Sequence, residues 1–248
     1  HKICNQAPLM KKETAVASKT AFITGANRGI GRAISLKLAE SGYNLVLLAR
    51  NQEMLASVTT ACRQHGTRVE CFTGELRDEA FMGRAIGGAL ETFGAIDVLV
   101  NNAGAANMQR VQDADLAAWR DVMDVNFNAI VYLCRHILPQ MVSRESGTII
   151  NISSLSGRNT SAGSAIYAAS KHALNGFSGC LYEDVREFGI KVSTIMPGFV
   201  DTDLTENLGM TSKNMIQPQD VANCVAYVLS ASPHSCPTEI VLRPQLRP

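Results

Sequence analysis

From Thr20 onward, short apolar runs alternate with longer stretches in which apolar residues recur at helical spacing. The runs cover residues 21–23, 45–48, 69–72, 98–100, 148–152, 192–195 and 240–242. Each is apolar with little alternation, which is the pattern of a strand buried on both faces. The stretches between them close on turn signals such as Ser41-Gly42, His65-Gly66, Phe93-Gly94 and Phe188-Gly189, where a helix gives way to a residue free to turn left-handed. Strands that alternate with helices predict a parallel sheet. The expected fold class is α/β: a single doubly wound domain, with a seven-stranded parallel sheet and about six major helices on its two faces. Ligands of such a sheet bind beyond the carboxyl ends of its strands, so the chemistry is sought there.

Composition narrows the classes. A chain of 248 residues with 46% hydrophobic and 18% charged residues has the make-up of an ordinary globular protein, long enough for one domain with a large core. A net charge of +1 gives no field for nucleic acid. No apolar run approaches the ~18 residues that a membrane span needs. The seven cysteines are scattered and form no C-x-x-C pair. That argues against a disulfide framework and a metal site, and for a reducing, cytoplasmic compartment. Residues 1–18 are polar, carry Lys11 and Lys12 and show no period. They are expected to be a disordered or expression-derived tail, because a native chain does not begin at His1. The domain proper is expected over residues 19–248.

The first run leads into Thr24-Gly25-Ala26-Asn27-Arg28-Gly29-Ile30-Gly31, and a helix is expected over residues 30–40. Gly25 would allow the tight turn, Gly29 the close approach of a pyrophosphate, and Gly31 the packing of helix on sheet. The free N–H groups of the helix start would face the phosphates. The second run ends Leu48-Ala49-Arg50-Asn51. An NAD site places an acid about 20 residues beyond the loop, on the ribose 2′-hydroxyl. Here the position is small and neutral, and Arg50 follows. With Arg28 it offers two guanidinium forks to a 2′-phosphate, which favours NADP(H) over NAD(H).

Tyr167 and Lys171 stand four apart in a stretch expected to be one helix over residues 165–187, so they share a face. A nearby ammonium stabilises phenolate and lowers a tyrosine's pKa, which suits proton transfer. Taken alone, such a pair is also what a half-buried helix surface carries. Ser153 and Ser154 follow the fifth run, Asn101-Asn102-Ala103-Gly104 follows the fourth, and Asn126 falls within a long helix expected over residues 116–142. A hydroxyl at Ser154 would be placed to bond a substrate carbonyl. An asparagine inside a helix calls for a reason, which packing alone can supply.

Thr24 to Gly31, Asn101 to Gly104, Asn126, Ser154, Tyr167-x-x-x-Lys171 and Pro197-Gly198, in this order, resemble the short-chain dehydrogenase/reductase family in its compact single-domain branch. The likeness runs from about Ser18 to Leu242 and implies a Rossmann-type oxidoreductase domain. It implies Tyr167 as proton donor in reduction and base in oxidation. Lys171 would bond the nicotinamide ribose, Ser154 would position the carbonyl, and Asn126 would hold a water leading from Lys171 to solvent. Gly25, Asn27, Arg28, Gly29, Ile30 and Gly31 would hold the cofactor phosphates, with Arg50 and Asn51 at the 2′ position. Glu75, Leu76, Asn102, Ala103 and Gly104 would border the adenine and its ribose. Pro197, Gly198, Val200 and Thr202 would border the nicotinamide. Glu75 departs from the family's usual aspartate.

The segment after Pro197-Gly198 would form the substrate lid. It is short and mixed, which predicts an open or shallow pocket. No arginine cluster marks a carboxylate or phosphate substrate. A small-molecule carbonyl or alcohol is therefore the expected partner, with 3-oxoacyl carrier-protein reductase as an alternative. A catalytically silent NADP(H)-binding sensor is a further alternative, weakened because Tyr167 and Lys171 are both present. The resemblance also implies a homodimer or homotetramer through the helices over 116–142 and 165–187. The stripe Ala173, Gly176, Gly179 and Cys180 would allow close helix approach, unless it packs on the sheet.

Overall fold

The computed structural model describes residues 18–247. All of the expected tail except Ser18 lies outside them. The expected strands form as β1 (Thr20–Thr24), β2 (Asn44–Ala49), β3 (Val69–Thr73), β4 (Val98–Asn101), β5 (Gly147–Ile152), β6 (Ile190–Pro197) and β7 (Glu239–Leu242). All pair in parallel, in the order β3-β2-β1-β4-β5-β6-β7. The winding reverses between β1 and β4, where Ile23 pairs with Val100. A crevice must open there, because the connections leave to opposite faces.

Successive residues of a strand point to opposite faces, and the sequence supplies apolar side chains to both. Ala21 and Ile23 of β1 and Leu45 and Leu47 of β2 enter one core, with Ile34 and Leu38 from α1 (Gly29–Glu40), Leu55 and Val58 from α2 (Gln52–Arg63), and Val221 and Val225. Phe22, Val46 and Leu48 enter the other, against Phe81, Met82 and Ala85 of α3 (Glu79–Phe93). Leu116–Met123 forms α4, Ala129–Ser143 forms α5 and Ala165–Val185 forms α6. Leu133 and Ile137 of α5, with Leu174 and Leu181 of α6, complete that second core. The helices α7 (Asp203–Asn207) and α8 (Pro218–Ser230) follow β6, so the described residues hold eight α-helices: the six major ones expected, one of them split into α4 and α5, and the five-residue α7.

The expected single helix over residues 116–142 is not continuous. A π-helical turn, Asp124–Asn128, separates α4 from α5 and carries Asn126 at its centre. Widening the turn turns Asn126 fully inward; such turns tend to mark functional positions. The glycine stripe on α6 resolves the other way from sheet packing. A Cβ at Gly176 or Gly179 would meet nothing within 4 Å, and Cys180 is exposed.

Candidate active site

A cleft of about 560 Å³ lies along the carboxyl ends of the central strands, a size within the usual range of small-molecule sites. The glycine loop forms one wall. Gly25 has φ +66°, and a Cβ on it would lie 2.9 Å from Ala103 Cα. At Gly31 a Cβ would fall 2.1 Å from Gly25 O, so no other residue fits without moving the loop. Thr24 and Asn102 lock this wall to the end of β4. The Asn102 and Ala103 N–H groups both donate to Thr24 Oγ1 at 3.0 Å, and Asn102 Nδ2 donates to Thr24 O at 2.9 Å. At the start of α1, Arg28 makes no side-chain cap and the first turn holds no acid. Those amides are thus available to an anion, and the loop fits the diphosphate of a dinucleotide.

Of the predicted site residues, all but Asn51 and Asn126 line the cleft. Asn51 spends its side chain as the N-cap of α2, accepting from Met54 N at 2.9 Å. Arg50 points toward Glu75 at 3.7 Å, and Arg77 also approaches Glu75 at 3.8 Å. Arg28 pairs with Asp203, at the start of α7, at 2.6 Å. Both arginines therefore face carboxylates. These pairs are largely exposed, and such pairs hold by only ~0–1 kcal/mol.

At the far end, β5 delivers Ser153 and Ser154, and α6 delivers Tyr167 and Lys171. Ser153 Oγ is committed to Asn175 Oδ1 at 2.6 Å, whereas Ser154 borders the cleft. The fourfold spacing places Lys171 Nζ 5.8 Å from the Tyr167 ring centre. Lys171 is buried and donates to Ile152 O at 3.0 Å. Burial lowers its pKa to about 8. Burial raises that of Tyr167, and the neighbouring Ser154 hydroxyl opposes the rise. Desolvation, rather than the lysine, sets the direction of this shift.

Asn126 stands behind this group. Its Oδ1 accepts from Ala105 N at 2.8 Å, while its Nδ2 donates to Ala105 O at 2.9 Å and to Ser170 Oγ at 3.0 Å. Ser170 Oγ in turn donates to Tyr167 O at 2.7 Å. The amide ties the strand-four loop to the helix of Tyr167. A Cβ on Gly104 would sit 3.6 Å from Asn126 Oδ1 and 3.9 Å from Lys171 Nζ, so Asn126 and Lys171 meet at one glycine.

The segment after Pro197-Gly198 contributes to the cleft as well. Leu204 and Leu208 line it from α7 and its end, beside Phe199 and Met108. Arg243 enters from beyond β7. Nothing local marked Arg243; the pairing of β7 with β6, Leu242 against Pro197, brings it there.

Comparison with known proteins agrees with this geometry. The sequence model of a family described as short chain dehydrogenase matches residues 19–213. An uncharacterised oxidoreductase of Staphylococcus aureus is 34% identical over 231 residues, covering 93% of this chain and 99% of the relative. One from Staphylococcus epidermidis is 31% identical over 229 residues, 92% of this chain and 98% of the relative. Among solved structures, a metagenomic short-chain oxidoreductase in complex with NADP aligns with a TM-score of 0.82 at 34% identity, covering 93% of this chain and 99% of that one. A short-chain dehydrogenase from Streptomyces avermitilis aligns at 0.83 and 28% identity, covering 92% and 89%.

Proposed function

The chain belongs to the short-chain dehydrogenase/reductase family and is an oxidoreductase, and from that premise we propose that it reduces a small-molecule carbonyl to a secondary alcohol with NADPH, or runs the reverse, with Tyr167 as proton donor. One observation carries this reading. Tyr167 stands half-buried with Ser154 and Lys171 at one end of a cleft whose other wall is an anion-ready glycine loop.

When bound along this cleft, a reduced nicotinamide would supply a hydride to the carbonyl carbon. The Ser154 hydroxyl donates to the carbonyl oxygen and sets its position. Tyr167 Oη delivers the proton that the oxygen needs as the hydride arrives, and as general acid it contributes ~10²–10⁴-fold. Lys171 orients the nicotinamide ribose, and its ammonium stabilises the phenolate left behind. Asn126 holds the loop at Ala105 and the helix at Ser170 in register. It acts through them and, by the family resemblance, through a water leading to Lys171. Pro197, Gly198, Val200 and Thr202 would border the nicotinamide, with Glu75, Leu76, Asn102, Ala103 and Gly104 on the adenine side. NADPH is preferred over NADH because a phosphate can displace two weak, exposed carboxylate partners from Arg28 and Arg50. The NADP in the metagenomic relative supports this choice. The outward glycine face of α6 supports a homodimer or homotetramer.

The test is NADPH and NADH consumption, measured in parallel over a panel of ketones, aldehydes and 3-oxoacyl thioesters. NADPH-linked reduction of a small carbonyl is the expected result. Turnover confined to 3-oxoacyl thioesters would instead favour the carrier-protein reductase reading. Cofactor binding without turnover of any carbonyl would favour the silent sensor.

A further inference from the structure

The charges lining the cleft do not cancel: four cations face two acids. Its cations are Arg28, Arg50, Lys171 and Arg243, and its acids are Glu75 and Asp203. Arg28 is matched by Asp203 and Arg50 by Glu75. Lys171 is buried on the Ile152 carbonyl. Among the described residues Arg243 has no acidic partner within 4.0 Å, and its side chain is exposed to the cleft.

Its position is fixed by the sheet. Gly198 N donates to Leu242 O at 2.9 Å, and a Cβ on Gly198 would lie 3.0 Å from Pro244 Cδ and 3.1 Å from Leu155 Cδ1. Residues 242–244 thus lie against Gly198, which Leu155, the neighbour of Ser154, also approaches. Across the same corner Arg158 is already neutralised by Glu239. The hydrogen-bonding side chains of Asn159 and Thr160 complete this end of the cleft. A fork-shaped guanidinium with no counter-ion among the described residues, held at the rim of a cleft with apolar walls, attracts and orients an oxyanion.

We propose that Arg243 is a specificity-determining residue that binds an anionic group, carboxylate or phosphate, on the carbonyl substrate. The inference rests on the carbonyl-reductase reading. It names the substrate class: small oxo compounds carrying a negative charge a few bonds from the reacting carbonyl. The anion spans from Arg243 while the carbonyl lies between Ser154 and Tyr167.

Matched pairs test it. Oxo acids with one to four methylenes between carbonyl and carboxylate are compared with their methyl esters, and dihydroxyacetone phosphate with dihydroxyacetone. In the wild type, kcat/KM should favour a charged member over its neutral partner by about tenfold or more, the worth of one charge-assisted contact. The preference should appear mainly in KM and weaken as salt is added. Arg243→Gln should bring the charged-to-neutral ratio near one, and Arg243→Lys should keep part of it. A preference confined to the oxo acids assigns a carboxylate, and one confined to the phosphate pair assigns a phosphate. Equal rates for both members of every pair in the wild type, or a ratio that Arg243→Gln leaves intact, would overturn the proposal. Calorimetric titration of each pair into the wild-type enzyme–NADPH complex separates the two readings. Charged members that bind tighter yet never oxidise NADPH would sink the reductase reading and leave the anion site standing. No preference in binding would sink the anion site itself.

Discussion

Replacing Lys171 by methionine should make the protein inactive and more stable at once. Lys171 is buried, and its pKa falls from 10.5 to about 8 by desolvation. The folded state therefore releases this proton more readily than the unfolded chain does. Between pH 8 and 10.5 the unfolded chain binds more protons, so wild-type stability rises with pH through that window and the penalty is greatest below it. At ~1.4 kcal/mol per pKa unit the charged lysine costs the fold about 3 kcal/mol at pH 7. Methionine occupies a similar volume without the charge. It strands Ile152 O, now bonded to Nζ at 3.0 Å, at a cost of ~1–2 kcal/mol. The net gain is about 1–2 kcal/mol, equivalent to several degrees in Tm for a chain of this size. Urea unfolding of both proteins at pH 7 and pH 10 reads this directly, because the difference between them cancels every other titrating group. The gain should be present at pH 7 and vanish or reverse at pH 10. A variant no more stable than wild type at pH 7, or a gain equal at both pH values, would refute the argument that this lysine is held charged against desolvation.

Two further outcomes follow from the cofactor wall. Replacing both Arg28 and Arg50 by alanine should weaken NADPH by about tenfold or more per arginine while NADH changes little, read by fluorescence titration; equal weakening of both would remove the 2′-phosphate assignment. Gly31→Ala forces a Cβ to within 2.1 Å of Gly25 O. It should abolish NADPH binding and cost about 3 kcal/mol or more, measured by thermal unfolding; normal binding would contradict the close packing of loop on helix.

The fold was legible because the strands announce themselves. Leu45, Val46, Leu47 and Leu48 feed two cores in alternation, so a run apolar at every position meant a sheet covered on both sides. The glycine loop was legible because backbone geometry admits few residues there. Side-chain pattern could not reveal the π turn at Asp124–Asn128, because a slip in backbone hydrogen bonding leaves an apolar period almost unchanged. The Tyr167–Lys171 spacing was visible, but the direction of the tyrosine's shift depends on burial, which only the packed cleft decides. Asn51 was expected at the 2′ position, but its side chain caps α2. Arg243 was invisible for a topological reason. It is distant in sequence from Ser154 and reaches the same corner only through the β6–β7 pairing.

On the proposed mechanism Tyr167 supplies the proton to a carbonyl reduced by NADPH. Single-turnover oxidation of bound NADPH, with wild type and Tyr167→Phe compared on the best carbonyl of the panel, tests it most directly. The phenylalanine variant should bind NADPH as wild type does, by fluorescence, and lose turnover by ~10²-fold or more. A variant that binds NADPH and oxidises it at the wild-type rate would contradict the account.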